Sequence, residues 1–218
     1  MTPDASNPDV QENPTPKRKQ RWRPEEVKAR VLKQALSEFA THGFEGASLI
    51  EIAKQSHVSL PLILYHFNSK EELWKAVIHE VVGRHTMTEV IDAGRANGVS
   101  AADQLREVIR HTVHSFAESP ELHRLMMMEA HQPSERLIWL CDTYGKVDFA
   151  KLTETILQAQ ADGDVRKVDP ARLRFAIVAM AATPFAVSAE YQYLTRKNPF
   201  SKAEVEHAIE SINHLVFE

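Results

Sequence analysis

Apolar positions recur at helical spacing along nearly the whole chain. Val27, Val31, Ala35 and Phe39 stand four apart, with Leu32 and Leu36 beside them. That spacing keeps one side of a 3.6-residue turn apolar and predicts a helix from Pro24 to about Thr41. Pro24 suits a first helical position, where its missing N–H has no partner to lose, and His42-Gly43 marks the stop. A short helix is expected over residues 48–55, burying Ile52 and Ala53. The turn "SHV" then leads to a helix from Ser59 to about Phe67. Ser69 with Glu72 is a capping-box signature opening a long helix that carries Leu73, Trp74, Val77, Ile78 and Val81, and Asn97-Gly98 ends that helix or the loop after it. Ser100 caps a helix with Leu105, Ile109, Thr112 and Phe116 inward, and Pro120 opens the short "ELHRLMMMEA". A helix over 134–161 has a stripe that shifts near Gly145. Asp169-Pro170 opens another, to about Leu194, in which Pro184 should produce a kink. Ser201 and Glu204 make a second capping box before Val205, Ile209, Ile212 and Val216. With no hairpin signal, alternating run or repeat, the pattern predicts an all-α chain of about nine helices.

Charge distribution changes this picture. The chain of 218 residues has a formal net charge of −4, yet Lys17 to Lys70 holds 10 basic and 5 acidic side chains, a surplus of +5. A basic front on an acidic body is expected where one end meets a polyanion. Residues 1–16, with four prolines, read as a disordered tail, and "KRKQRWR" over 17–23 reads as a basic arm. The expected organisation is a DNA-contacting unit over 24–70, a connecting helix over 71–84 and a larger domain over 85–218. Cys141 is the single cysteine, so neither an intrachain disulfide nor a cysteine-built zinc site is available; on its stripe it is expected to be buried. No apolar run approaches membrane-spanning length and no secretory signal is present, so the cytoplasm is the expected compartment and no membrane partner is expected.

A helix of about eighteen residues, one of eight, a three-residue turn and one of nine is the spacing of a helix-turn-helix, whose last helix enters the major groove with its N-terminal end. Pro61 breaks no hydrogen bond at the start of so short a helix. Ile63 and Phe67 can bury against Ile52 and Phe39, leaving Leu60, Pro61, Leu62, Tyr65 and His66 outward. The stretch "GFEGASLIEIAKQSHVSLPLILYHFNSKEELWKAVI" resembles the DNA-binding region of TetR-family transcriptional regulators. The pattern is Gly-aromatic, a small hydroxyl residue, Ile-Ala, Val-Ser, an aromatic pair before Phe, then Ser-Lys-Glu-x-Leu, and the resemblance covers roughly residues 24–80. "ILYHF" and "LHRLMMMEA" are similar to the RutR-like branch, from which no ligand is carried over.

The resemblance implies roles for particular residues. Ser48 would hold a phosphate through its hydroxyl and the helix-start N–H groups. Tyr65 and His66 would grip the DNA backbone, Lys70 would pair with phosphate, and Ser59, Leu60, Pro61 and Leu62 would face bases. Two positions depart from the family pattern: His57 stands where Gly is common in the turn, and Leu60, Pro61 and Leu62 offer no hydrogen bonds to base edges. Such a helix can touch thymine methyls but cannot make bidentate pairings from those positions. The arm residues Lys17, Arg18, Lys19, Arg21 and Arg23 could lie along the minor groove; a solvated charged tail is the plainer reading.

In the larger domain, residues 171–190 contain seven Ala, which permit close helix approach. Together with Val205, Ile209, Ile212 and Val216 they suggest a homodimer through the last two helices, as the resemblance also implies; intrachain core is the alternative. Phe116, Met126, Met127, Trp139, Tyr144, Phe175 and Phe185 are candidate pocket linings, with Glu129 and His131 as polar anchors; for the apolar ones, plain core competes. The implied partners are a double-stranded DNA operator and a small-molecule effector. Ligand binding would shift the dimer toward wrongly spaced recognition helices through the fourth helix. No HExxH, phosphate loop, GxSxG or GxGxxG occurs, so no catalytic residue, metal site or cofactor is assigned. Two other functions remain open at this level: a helical enzyme or metal-binding protein without DNA binding, and an architectural protein that binds DNA without sequence preference.

Overall fold

The computed structural model describes residues 23–83 and 86–218. The expected tail over 1–16 and all of the arm except Arg23 lie outside those residues. Among the described residues the chain is helical, with one isolated antiparallel bridge between Val165 and Phe217.

The head contains α1 (Pro24–Gly46), α2 (Leu49–Ser56), α3 (Leu60–Phe67) and α4 (Lys70–Val82). The four-residue ladder Val27, Val31, Ala35 and Phe39 is buried, as its spacing requires. Within α1 the backbone leaves helical geometry at Gly43 (φ 67°, ψ 177°), a left-handed φ that favours glycine. The expected stop is therefore present as a kink, followed by one more short turn. Ile52 and Ala53 of α2, Ile63 and Phe67 of α3, and Leu73, Trp74, Val77 and Ile78 of α4 complete this core.

The body contains α5 (Met87–Ala96), α6 (Ala101–Glu118), α7 (Pro120–Ala130), α8 (Glu135–Leu140), a π-helical turn over Cys141–Gly145, α9 (Lys146–Asp162), α10 (Pro170–Ala186), α11 (Ser188–Thr195) and α12 (Lys202–Val216). Its core joins Leu105, Val108 and Ile109 of α6, Leu152 and Ile156 of α9, Ile177 and Phe185 of α10, and the inward side of α12. The starts of α6, α8 and α10 are capped by Ser100, Ser134 and Asp169, each accepting a main-chain N–H three residues on.

Several expectations need correction. α4 ends at Val82, and Asn97-Gly98 closes a separate helix, α5, rather than the fourth helix or a loop. The helix expected to about Leu194 ends at Ala186, and α11 leaves it at 79°. Pro184 lacks the N–H that would continue the ladder, so the break falls within a turn of it. The shifting stripe near Gly145 corresponds to the π-helical turn. Cys141 is exposed rather than buried, because that turn faces it outward. The Ser201–Glu204 box forms only in part: Ser201 Oγ accepts the Glu204 N–H, while the Glu204 carboxylate takes Tyr191 Oη at 2.7 Å and Lys197 Nζ at 2.9 Å. Those partners lower the Glu204 pKa, the Tyr191 hydroxyl contributing most.

Head and body share packing. Leu125 of α7 and Leu140 of α8 are buried in the head core, and Met126 packs against both cores. No helix among the described residues is by itself long and apolar enough to cross a membrane.

Candidate nucleic-acid interface

The outer surface of the head is built by a short helix held from beneath. Ile63 and Phe67, four residues apart, fix α3 in the core beside Ile52 and Phe39. Main-chain N–H groups of Leu62 and Ile63 donate to the Ser59 carbonyl at 3.0 and 3.2 Å, so Pro61 interrupts nothing. Away from the buried pair, Pro61, Leu64 and Tyr65 face outward, Tyr65 with 79% of its surface exposed. His66 is half-buried, its ring edge-on to Tyr65 at 5.2 Å. Leu60 and Leu62, expected outward, are half-buried against the head core; an eight-residue helix so rich in apolar side chains turns part of both toward its support. Leu64, not among the residues expected outward, is exposed although it lies only about 80° round the helix from the midpoint of Ile63 and Phe67.

The turn before α3 depends on a residue other than glycine. His57 adopts the left-handed conformation (φ 57°, ψ 37°), and the Val58 N–H closes the end of α2 on the Ala53 carbonyl at 3.0 Å. Arg30 of α1 donates to the Ser56 carbonyl at 3.2 Å, tying the first helix to that turn. Ser59 is exposed, with no side-chain cap bond to its helix.

Two flanking residues have partners that the sequence did not reveal. Ser48 Oγ accepts the Glu51 N–H at 3.3 Å, and the Ser48 N–H donates to Glu38 at 3.0 Å. Those two N–H groups are therefore occupied, and the donors without an intrahelical acceptor at the start of α2 are the N–H groups of Leu49 and Ile50. Lys70 Nζ donates to the Glu45 carbonyl at 3.2 Å and lies 4.9 Å from the Phe44 ring centre, which leaves further ammonium donors. Arg23 is exposed and pairs with Glu26 at 3.1 Å. Lys17, Arg18, Lys19 and Arg21 lie outside the described residues.

The nine ligand candidates do not gather into one pocket. Phe116 lies in the body core, edge-on to His123 at 5.4 Å. Phe175 is 62% exposed and Met127 is exposed. Trp139 and Tyr144 pack against the head, and Met126 lies between the cores. Glu129, 4% exposed, pairs with Arg136 at 3.2 Å and borders, with His131, a cavity of about 250 Å³ at the head–body joint. Phe185 alone of the nine lines the larger cleft, about 930 Å³ between α10, α11 and α12. Val205, Ile209, Ile212 and Val216, expected at a dimer contact, belong to the body's own core. Among the described residues no group of three or more His, Cys, Asp or Glu could hold a metal ion.

A short exposed helix carried on two others and joined by α4 to a larger helical body is the architecture of a helix-turn-helix regulator with an appended helical domain. Residues 31–77 match the model of bacterial regulatory proteins of the tetR family, and residues 102–216 match the tetracyclin repressor-like C-terminal domain. The second match alone spans more than half of the chain, and the chain belongs to the TetR family of DNA-binding transcription regulators. It is 27% identical over 165 residues to the HTH-type transcriptional repressor SCO4008 of Streptomyces coelicolor, covering 72% of this chain and 78% of that one. It is 32% identical over 102 residues to the HTH-type transcriptional regulator RutR of Escherichia coli, a match spanning 47% of each chain. The fold is similar to that of AibR, solved in complex with isovaleryl coenzyme A and operator DNA, with TM-score 0.68, 20% identity, and coverage of 88% of this chain and 98% of that one.

Proposed function

We propose that this regulator is a ligand-responsive repressor that binds a near-palindromic operator as a homodimer and is released by a small apolar or aromatic effector. The observation that carries the reading is the outer side of α3, where Pro61, Leu64 and Tyr65 stand exposed on a buried Ile63–Phe67 base. In this reading Ser59, Leu60, Pro61 and Leu62 approach base edges, Tyr65, His66, Ser48 and Lys70 hold phosphates, and the basic arm follows the minor groove. An apolar reader favours thymine methyls, so much of the affinity comes from phosphates. Repression is supported by the likeness to SCO4008, and effector control by the likeness to AibR.

The homodimer reading rests on the outward side of the last long helices. Ala176, Ala179 and Thr183 of α10 and Ser211 and Leu215 of α12 are exposed, and most of them border the cleft between those helices. Small residues there allow close approach of a second copy, and a twofold pair would place recognition helices about 34–36 Å apart. The effector shifts the population between head spacings only by its differential affinity for them.

The test is selection of bound fragments from a genomic library, followed by titration of the complex with candidate effectors. A shared near-palindrome, with release by an apolar compound, supports the reading. Equal affinity for selected and random duplexes would instead identify an architectural DNA-binding protein, and an effector that binds without releasing DNA would remove ligand control.

A further inference from the structure

Besides Leu125 and Met126 of α7, the body meets the head through a stripe of side chains on α8 and the π-helical turn. Arg136, Trp139, Leu140 and Tyr144 follow helical spacing across α8 and the π-helical turn, and all four contact the head. The Arg136 guanidinium stacks 3.8 Å from the Phe44 ring centre and is held by Glu129 at 3.2 Å and Glu45 at 3.5 Å. Phe44 is the ring over which Lys70 also lies, so the body's arginine and the head's lysine share one aromatic residue. Trp139 meets Trp74 edge-on at 5.7 Å and His79 at 5.3 Å, with Lys75 Nζ 5.8 Å from its ring centre. Leu140 is buried in the head core. The Tyr144 hydroxyl, its pKa raised by burial, bonds His79 Nδ1.

The π-helical turn explains how one continuous rod serves two partners. Beyond it, Leu152, Ile156 and Ala159 of α9 face the body core. At about 100° per residue in an α-helix, an uninterrupted run would place that trio roughly 150° from the head-facing stripe. One additional residue in the turn removes about 100° of the difference, bringing both contacts toward the same side.

We propose that Arg136, Trp139, Leu140 and Tyr144 are positioning residues for DNA binding, holding the head in its binding pose, and that the π-helical turn over 141–145 sets the register of that hold. This rests on the operator-binding reading, but none of the four residues is asked to touch DNA. Loss of the register frees α4, and with it Lys70 and α3, while the body stays packed.

Deletion of Thr143, an exposed residue of the turn, should restore a continuous α-helix and rotate α8 away from the head. A second variant, Glu129→Met with Arg136→Met, removes the clamp without stranding a buried charge. Both full-length proteins would be assayed on duplexes selected by the wild type. The expected result is at least tenfold weaker binding with an unchanged slope of log affinity against log salt, since no phosphate contact is lost. Hydrogen exchange should rise in α3 and α4 and stay unchanged in α12. Should the deletion fail to fold, the double variant carries the same expectation. Wild-type affinity and exchange in a folded variant overturn the proposal, as does a reduced salt slope, which would make these residues DNA contacts. Wild-type protein that selects no duplex would fail the operator reading first.

Discussion

Replacing Tyr65 and Ile63 one at a time separates contact from support, because two positions on one short helix face opposite ways. Ile63 is 1% exposed beneath α3, whereas Tyr65 is largely solvated. Truncating a buried Ile to Ala removes its transfer energy and leaves a cavity, about 2–5 kcal/mol in all. For a chain of this size that lowers the melting temperature by on the order of 10 °C. Tyr65→Ala loses only an edge contact with His66 and open surface, so stability should change by no more than about 0.5 kcal/mol. Its effect should appear in binding instead. A hydrogen bond from a phenol to a phosphate contributes about 1.5–3 kcal/mol, which at 1.4 kcal/mol per decade is a loss of roughly 10- to 150-fold. Tyr65→Phe should reproduce most of that loss, since the hydroxyl is the donor. Thermal melts and fluorescence anisotropy on a selected duplex measure the two effects. If Tyr65→Ala melted like Ile63→Ala, or bound within about twofold of wild type, α3 would not be the DNA-facing helix and the interface would have to be sought elsewhere.

Other expectations are independent of that one. Removing residues 1–21 should weaken binding and make the salt slope shallower by roughly 0.9 for each phosphate the arm had neutralised; an unchanged slope would show a solvated tail. Leu215→Glu places a charge on the exposed side of α12 and should give monomers by sedimentation; an intact dimer would move the interface off that side. Burial lowers the His123 pKa below its ordinary 6.5, so the folded state binds its proton less readily than the unfolded chain. Stability should therefore fall as pH drops from about 6.5 toward the lowered value, and melts across that window should flatten in His123→Gln. A wild-type curve already flat there would refute the assignment.

How far the sequence could be read depended on whether a feature was local. The ladder from Val27 to Phe39 and the caps at Ser100 and Asp169 were legible because periodicity and capping act within a few residues. The split of the connecting segment falls between Gly83, which ends α4, and Thr86, which precedes α5 without a side-chain cap bond, a weak local signal. Glu204 shows why a motif can mislead: its spacing from Ser201 fits a capping box, but Tyr191 and Lys197, distant along the chain, take the carboxylate. Trp139 and Tyr144 have the right spacing for a pocket wall, and only tertiary contact with Trp74 and His79 assigns them to the joint. Met127 and Phe175 are apolar residues on helices, which makes them candidates for a lining, but their exposure depends on which neighbouring helices cover them.

The sharing of Leu125 and Leu140 with the head core limits where this protein can be cut. A fragment ending near Gly83 would lack two side chains that fill its interior, each contributing about 1.5–3 kcal/mol when buried. Grafting this head onto a foreign sensor would therefore require transplanting α7 and α8 with it, and a chimera joined at the apparent linker would inherit a hole in place of a hinge.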